Sequence, residues 1–165
     1  MRKTMIKHPI EPLYDKDSEI LILGSFPSVK SREQGFFYGH PQNRFWRVIA
    51  AVCDSDVPNT IDEKRKFLLN NRIALWDVIG ECDISGSADT SIKNVIANDL
   101  RPILETSRVK RIFVNGKTAE KYYIRHIQEQ IGYKAVCLPS TSPANAAWSQ
   151  ERLIEEWKKI ISDNS

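Results

Sequence analysis

The sequence predicts an α/β fold: a three-layer α/β/α sandwich around a central, mostly parallel four-stranded sheet. Three observations predict it. Short uninterrupted aliphatic runs, such as Ile20-Leu21-Ile22-Leu23, suit strands buried on both faces. Segments with helical apolar spacing alternate with those runs. No internal repeat, low-complexity tract or Gly/Ser linker interrupts the order, so residues 1–165 are expected to form one domain.

The elements follow in chain order. Residues 19–23 form the first strand and end at Gly24. Residues 25–42 read as a long irregular loop, too long for a connector. Its aromatic content (Phe26, Phe36, Phe37, Tyr38) argues for order. Asn43 is placed to cap a helix over 43–53, with Phe45, Trp46, Ile49 and Val52 as the apolar stripe. A second helix is predicted over 62–71, a second strand over 73–79, and a helix over 91–100 that stops before Pro102. Residues 111–114 form the third strand, and Asn115-Gly116 leads into a helix over 117–130. Residues 135–138 form the fourth strand. A Pro/Ser-rich loop over 139–145 precedes a helix over 146–162, with Leu153, Ile154, Trp157, Ile160 and Ile161 at helical spacing.

In parallel sheets ligands bind beyond the carboxyl ends of the strands. Three segments leave those ends: Gly24-Ser25-Phe26-Pro27-Ser28, Asn115-Gly116-Lys117-Thr118 and Pro139-Ser140-Thr141-Ser142-Pro143. They are expected to converge on one edge.

Composition excludes several classes. Lys and Arg total 24 against 21 Asp and Glu, a net charge of +3, which permits a nucleic-acid partner without requiring one. No apolar run reaches a membrane span, and the basic start Met1-Arg2-Lys3 lacks the apolar stretch of a secretory signal. Three scattered cysteines, Cys53, Cys82 and Cys137, point to reduced thiols in a cytoplasmic setting and leave too few ligands for an iron–sulfur cluster. Asn115-Gly116-Lys117-Thr118 ends like a phosphate-binding loop, but Arg111 stands where its first Gly is needed. Phe26 likewise blocks a dinucleotide fingerprint. His8, His40 and His126 form no metal-ligand spacing: His8 and His126 read as surface histidines, whereas His40 lies in the aromatic loop. No metal, nucleotide or other cofactor is expected.

Two blocks carry a resemblance. Gly24-Ser25-Phe26-Pro27-Ser28 with Gly35-Phe36-Phe37-Tyr38-Gly39-His40-Pro41-Gln42-Asn43-Arg44-Phe45-Trp46, and Pro139-Ser140-Thr141-Ser142-Pro143-Ala144-Asn145, together resemble the uracil-DNA glycosylase superfamily. The match spans roughly residues 19–160. The first block is similar to the mismatch-specific branch, with one departure: Phe26 stands where that branch carries a water-orienting Asn and classical uracil enzymes carry Asp. Gly-Ser-Phe-Pro with Pro-Gln-Asn-Arg-Phe-Trp is more similar to the hypoxanthine-DNA glycosylase branch, which implies activity dependent on Asn43.

The resemblance implies a monofunctional enzyme that hydrolyses the N-glycosidic bond of a deaminated base, foremost hypoxanthine, and leaves an abasic site. Uracil- or mismatch-specific excision, or a non-catalytic nucleic-acid-binding domain of the same fold, remain as alternatives. A base inside a duplex must be flipped out to be reached. Tyr38 is the candidate stacking face, with Ser25, Phe26 and His40 around the base. Asn43 carries a donor and an acceptor suited to the purine edge or to a water. Ser140, Thr141 and Ser142, before a helix N-terminus, are candidate phosphate contacts with Lys117. Pro143, Ala144 and Asn145 are candidates for the space the base leaves. Phe36, Phe37 and Trp46 read as core. The expected partner is DNA with a deaminated base, bound by a monomer away from membranes.

Overall fold

The computed structural model describes residues 5–161. The basic residues 1–4 and the last position of the final predicted helix, Ser162, lie outside them. Strand β2 (Ile20–Gly24) lies at the centre of a four-stranded parallel sheet. Strand β3 (Ile73–Asp77) flanks it on one side and β6 (Arg111–Asn115) on the other, with β7 (Ala135–Leu138) beyond, in the order β3-β2-β6-β7. In register, Ile22 faces Leu75 and Phe113, and Gly24 pairs with Asp77.

The period-2 alternation of the strands serves both faces of this sheet. Ile22, Leu75 and Phe113 point to one face, where α2 (Phe45–Val52), α3 (Ile61–Asn70) and α7 (Gln150–Trp157) pack through Phe45, Ile49, Leu68, Leu153 and Trp157. Leu21, Leu23, Ile112 and Val114 point to the other, against α4 (Arg101–Thr106) and α5 (Lys117–His126) through Ile103, Ala119 and Tyr123. This is the expected layered architecture. Phe36, Phe37 and Trp46 are buried in the first core.

Several elements depart from expectation. The run over 73–79 splits at Val78: β3 ends at Asp77, and β4 (Ile79–Asp83) turns into a second sheet. That sheet is antiparallel, ordered β1-β4-β5, with β1 (Ile6–Lys7) and β5 (Lys93–Ala97). The helix expected over 91–100 is therefore largely strand β5. β4 needs a hydrogen-bonding partner, and the alternating exposure of Asn94, Val95, Ile96 and Ala97 fits a strand face. Tertiary pairing overrides local propensity here.

The loop over 25–42 contains a short helix, α1 (Val29–Gln34), capped by Ser28 Oγ accepting from Ser31 N. The helix expected over 117–130 breaks at Ile127 into α5 and α6 (Gln128–Ile131). The final helix starts at Gln150, with Ser149 as its cap, rather than at residue 146. The physical reason is Arg44, whose guanidinium binds the carbonyls of Ser142, Asn145 and Trp148. A helix through this segment would direct those carbonyls to its own amides.

Candidate active site

The strand order changes direction at β2: the chain crosses to β3 on one side and to β6 on the other. A crevice opens at such a point, beyond the carboxyl ends of the strands. The loops after β2, β6 and β7 and the end of β3 enclose a cavity of about 500 Å³ there. A larger hollow of about 990 Å³ lies at the opposite edge, where β2 and β6 begin, and holds none of the predicted site residues.

Gly116 allows two of the loops to meet. Its φ is +95°, and a Cβ there would come within 3.0 Å of the Ser140 Cβ. This glycine therefore serves loop packing, not a phosphate cradle.

Asn115, the last residue of β6, organises one wall. Its Oδ1 accepts from the Thr141 backbone N–H at 3.1 Å. Its Nδ2 donates to Tyr38 Oη at 3.1 Å and to Thr141 Oγ1 at 3.0 Å. Thr141 is fully buried, and its hydroxyl donates onward to Asn43 Oδ1 at 2.8 Å. The same Oδ1 accepts from the Phe45 backbone N–H at 2.9 Å. A backbone N–H can only donate, so the oxygen of Asn43 must lie on this side. The amide orientation follows: Asn43 Nδ2 points away from the network, with no hydrogen-bond partner among the described residues. Asn43 thus caps α2 from one position before its N-cap, Arg44, and lines the cavity as well.

Tyr38 adopts a left-handed φ of +52° and stacks one ring face on Phe45, with centroids 4.1 Å apart. Only the other face remains for a ligand. Burial, reinforced by the nearby charge of Asp77, raises its hydroxyl pKa above the ordinary tyrosine range. Phe26 also lines the cavity, its ring perpendicular to that of His8 and the Arg32 guanidinium 5.5 Å above it. Ser25 Oγ donates to Asp89 Oδ1 at 3.5 Å. His40 is exposed at the rim, and its Nδ1 accepts from Gln42 N.

The second loop is held internally. Ser140 Oγ accepts from Ser142 N, and Ser142 Oγ accepts from Ala144 N, which leaves both hydroxyl protons available. Pro143 is exposed at the cavity mouth. Asn145 does not line the cavity; its Nδ2 donates to Ser140 O at 3.0 Å. Lys117 is exposed in the first turn of α5, outside the cavity lining.

Reading the sequence alone missed His8, Asp77, Asn115 and the segment 87–90. His8 is not a surface residue: its side chain is 2% exposed. Its Nδ1 accepts from Ile10 N at 3.2 Å, so Nε2 carries a proton and donates to Asp77 Oδ2 at 2.7 Å. Asp77 and Asn115 had a legible signal, since each is the polar last residue of an aliphatic strand. His8 and 87–90 had none, because sequence-distant packing brings them in.

The comparisons with known proteins bear on the fold and the family. The uracil DNA glycosylase superfamily model matches residues 11–163. A protein named hypoxanthine DNA glycosylase from Methanosarcina acetivorans is 35% identical over 159 residues, 95% of this chain and 99% of that one. A protein of the same name from Methanosarcina barkeri is 34% identical over 143 residues, 86% of this chain and 89% of that one. A solution NMR structure of a candidate uracil DNA glycosylase from Methanosarcina acetivorans superposes with a TM-score of 0.80 at 33% identity, covering 95% of this chain and 96% of that one. With fold, crevice and relatives in agreement, the chain belongs to the uracil DNA glycosylase superfamily.

Proposed function

We propose that this enzyme hydrolyses the N-glycosidic bond of hypoxanthine in DNA and leaves an abasic site. The observation that carries the reading is the fixed orientation of the Asn43 amide. Its acceptor is occupied by Phe45 N and Thr141 Oγ1, so it offers the cavity a donor. Hypoxanthine presents acceptors at O6 and N7, and departure from the sugar leaves negative charge on the purine. A donor aimed at that charge lowers the barrier. The names of the two Methanosarcina relatives support the same base.

The flipped base would stack on the free face of Tyr38, within a cavity large enough for a purine. Ser140 and Ser142, with spare hydroxyl protons, and Lys117 would hold the flanking phosphates. Pro143, exposed at the mouth, would enter the space the base leaves, with Asn145 bracing the loop behind it. Thr141 acts differently from its expected phosphate role: it relays orientation from Asn115 to Asn43.

The enzyme is taken to act as a monomer. No helix among the described residues is long and apolar enough to cross a membrane. Cys53, Cys82 and Cys137 are free thiols, which fits a reducing, cytoplasmic setting.

The test is an excision panel: duplexes carrying hypoxanthine, uracil or xanthine, treated with enzyme, then alkali, and resolved on a gel. Cleavage at hypoxanthine is the expected result. Cleavage at uracil alone would overturn the substrate, and cleavage at none would overturn the enzyme reading.

A further inference from the structure

Departure of a purine creates charge at two ends of one bond: negative on the base, positive on the sugar. The Asn115–Thr141–Asn43 wall answers the first. The cavity holds a group suited to the second on its other side. Asp77 ends β3, across β2 from Asn115, and its side chain is 6% exposed. His8 Nε2 donates to Oδ2 at 2.7 Å, while Oδ1 accepts no hydrogen bond among the described residues. Oδ1 lies over Gly24, where a Cβ would overlap it, and Tyr38 Oη comes within 3.0 Å of that same Cβ position. The backbone of Asp77 is held as well: its carbonyl accepts from Asn98 Nδ2 at 2.9 Å. Asp89, the other carboxylate in the lining, belongs to an exposed segment and has its Oδ1 engaged by Ser25.

We propose that Asp77 is a second catalytic residue, its free Oδ1 facing the sugar and the attacking water, and that His8 is the positioning residue that aims it. The inference rests on the glycosylase reading above. A carboxylate in this place stabilises the oxocarbenium character of the sugar and accepts a proton from the water. The step balances. The water oxygen forms a bond to C1′, the C1′–N9 bond breaks with its electron pair on the purine, and the water proton passes to Asp77 Oδ1. The purine anion then takes a proton from solvent, and Asp77 returns its own to solvent. His8 Nε2–H keeps Oδ2 turned into the core, which leaves Oδ1 toward the cavity.

The experiment compares the wild type with Asp77→Asn and His8→Gln. Single-turnover excision is measured on a hypoxanthine duplex. Binding is measured to two base-free duplexes, one with a neutral tetrahydrofuran abasic analogue and one with a cationic pyrrolidine analogue. Asp77→Asn is expected to slow excision about 100-fold, the scale of a lost general base. It should also weaken binding of the pyrrolidine duplex by roughly tenfold or more, while tetrahydrofuran binding stays within about twofold. Neither analogue carries a base, so a role limited to reading the purine edge would not produce that split. His8→Gln should change the same two quantities in the same direction by smaller factors, and carries the test if Asp77→Asn does not fold. Excision at the wild-type rate, or equal weakening on both analogues, would overturn the role of Asp77. A wild type that excises no deaminated base would instead overturn the glycosylase reading itself.

Discussion

Asn43 is proposed to serve structure and chemistry with one side chain. Its oxygen satisfies an orphan amide at the start of α2, and that bond leaves its nitrogen facing the cavity. Replacing Asn43 with Ala removes the donor and a helix-terminal acceptor at once. We expect single-turnover hypoxanthine excision to fall about 100- to 1,000-fold, the range for a lost donor to developing negative charge. Stability should fall by only about 1 kcal/mol, as for other lost caps. A denaturant melt beside the kinetic assay separates the two effects, and excision at the wild-type rate would remove Asn43 from the chemistry. The sequence singled out this position through the Pro-Gln-Asn-Arg-Phe-Trp block. The direction of its amide was not, because Thr141 lies 98 residues away and sets it through space.

Among the elements, the loop over 139–149 depends most on a distant residue. Arg44 binds three of its carbonyls, and its own backbone N–H donates to Thr141 O at 3.0 Å. Its guanidinium is spent as a clip between α2 and this loop. Arg44→Ala should therefore cost about 3 kcal/mol, given the worth of hydrogen bonds from charged groups. For a chain of this size that corresponds to a Tm lower by roughly 6–12 °C. Excision should fall as well, since the loop that carries Thr141 loses its clip at Ser142, Asn145 and Trp148. A melt unchanged from wild type, or a loss only of DNA affinity, would mean that Arg44 serves the DNA instead. Strand β5 makes the same point about elements: its residues are weakly patterned, and the open edge of β4 decides their state.

At the scale of the whole molecule, burial dominates the acid–base behaviour. Tyr38 and Tyr123 both have raised pKa values, and that of Tyr123 is pushed from 10.0 to about 12. Burial also lifts the Cys82 thiol from 9.0 to about 11. A group whose folded pKa is raised stabilises the fold fully below its unfolded pKa and loses that contribution as pH climbs through the folded value. Thermal melts should thus hold level up to about pH 9 and fall progressively toward pH 12. Tyr123→Phe should lessen the fall, because its buried hydroxyl, which donates to Tyr133 O, no longer ionises. A slope as steep in that variant as in the wild type would place the alkaline loss elsewhere.

By itself, the sequence determined the layered α/β architecture, the four parallel strands, the convergence of three loops and the family to which they belong. Aliphatic runs and turn residues act over short stretches, so their pattern survives in one dimension. Only the tertiary structure decided the second sheet, the late start of α7, the aim of the Asn43 amide and the pairing of His8 with Asp77. Each of these depends on hydrogen bonds between residues far apart in the chain, and a donor's direction exists only once the fold has brought its acceptor within 3 Å.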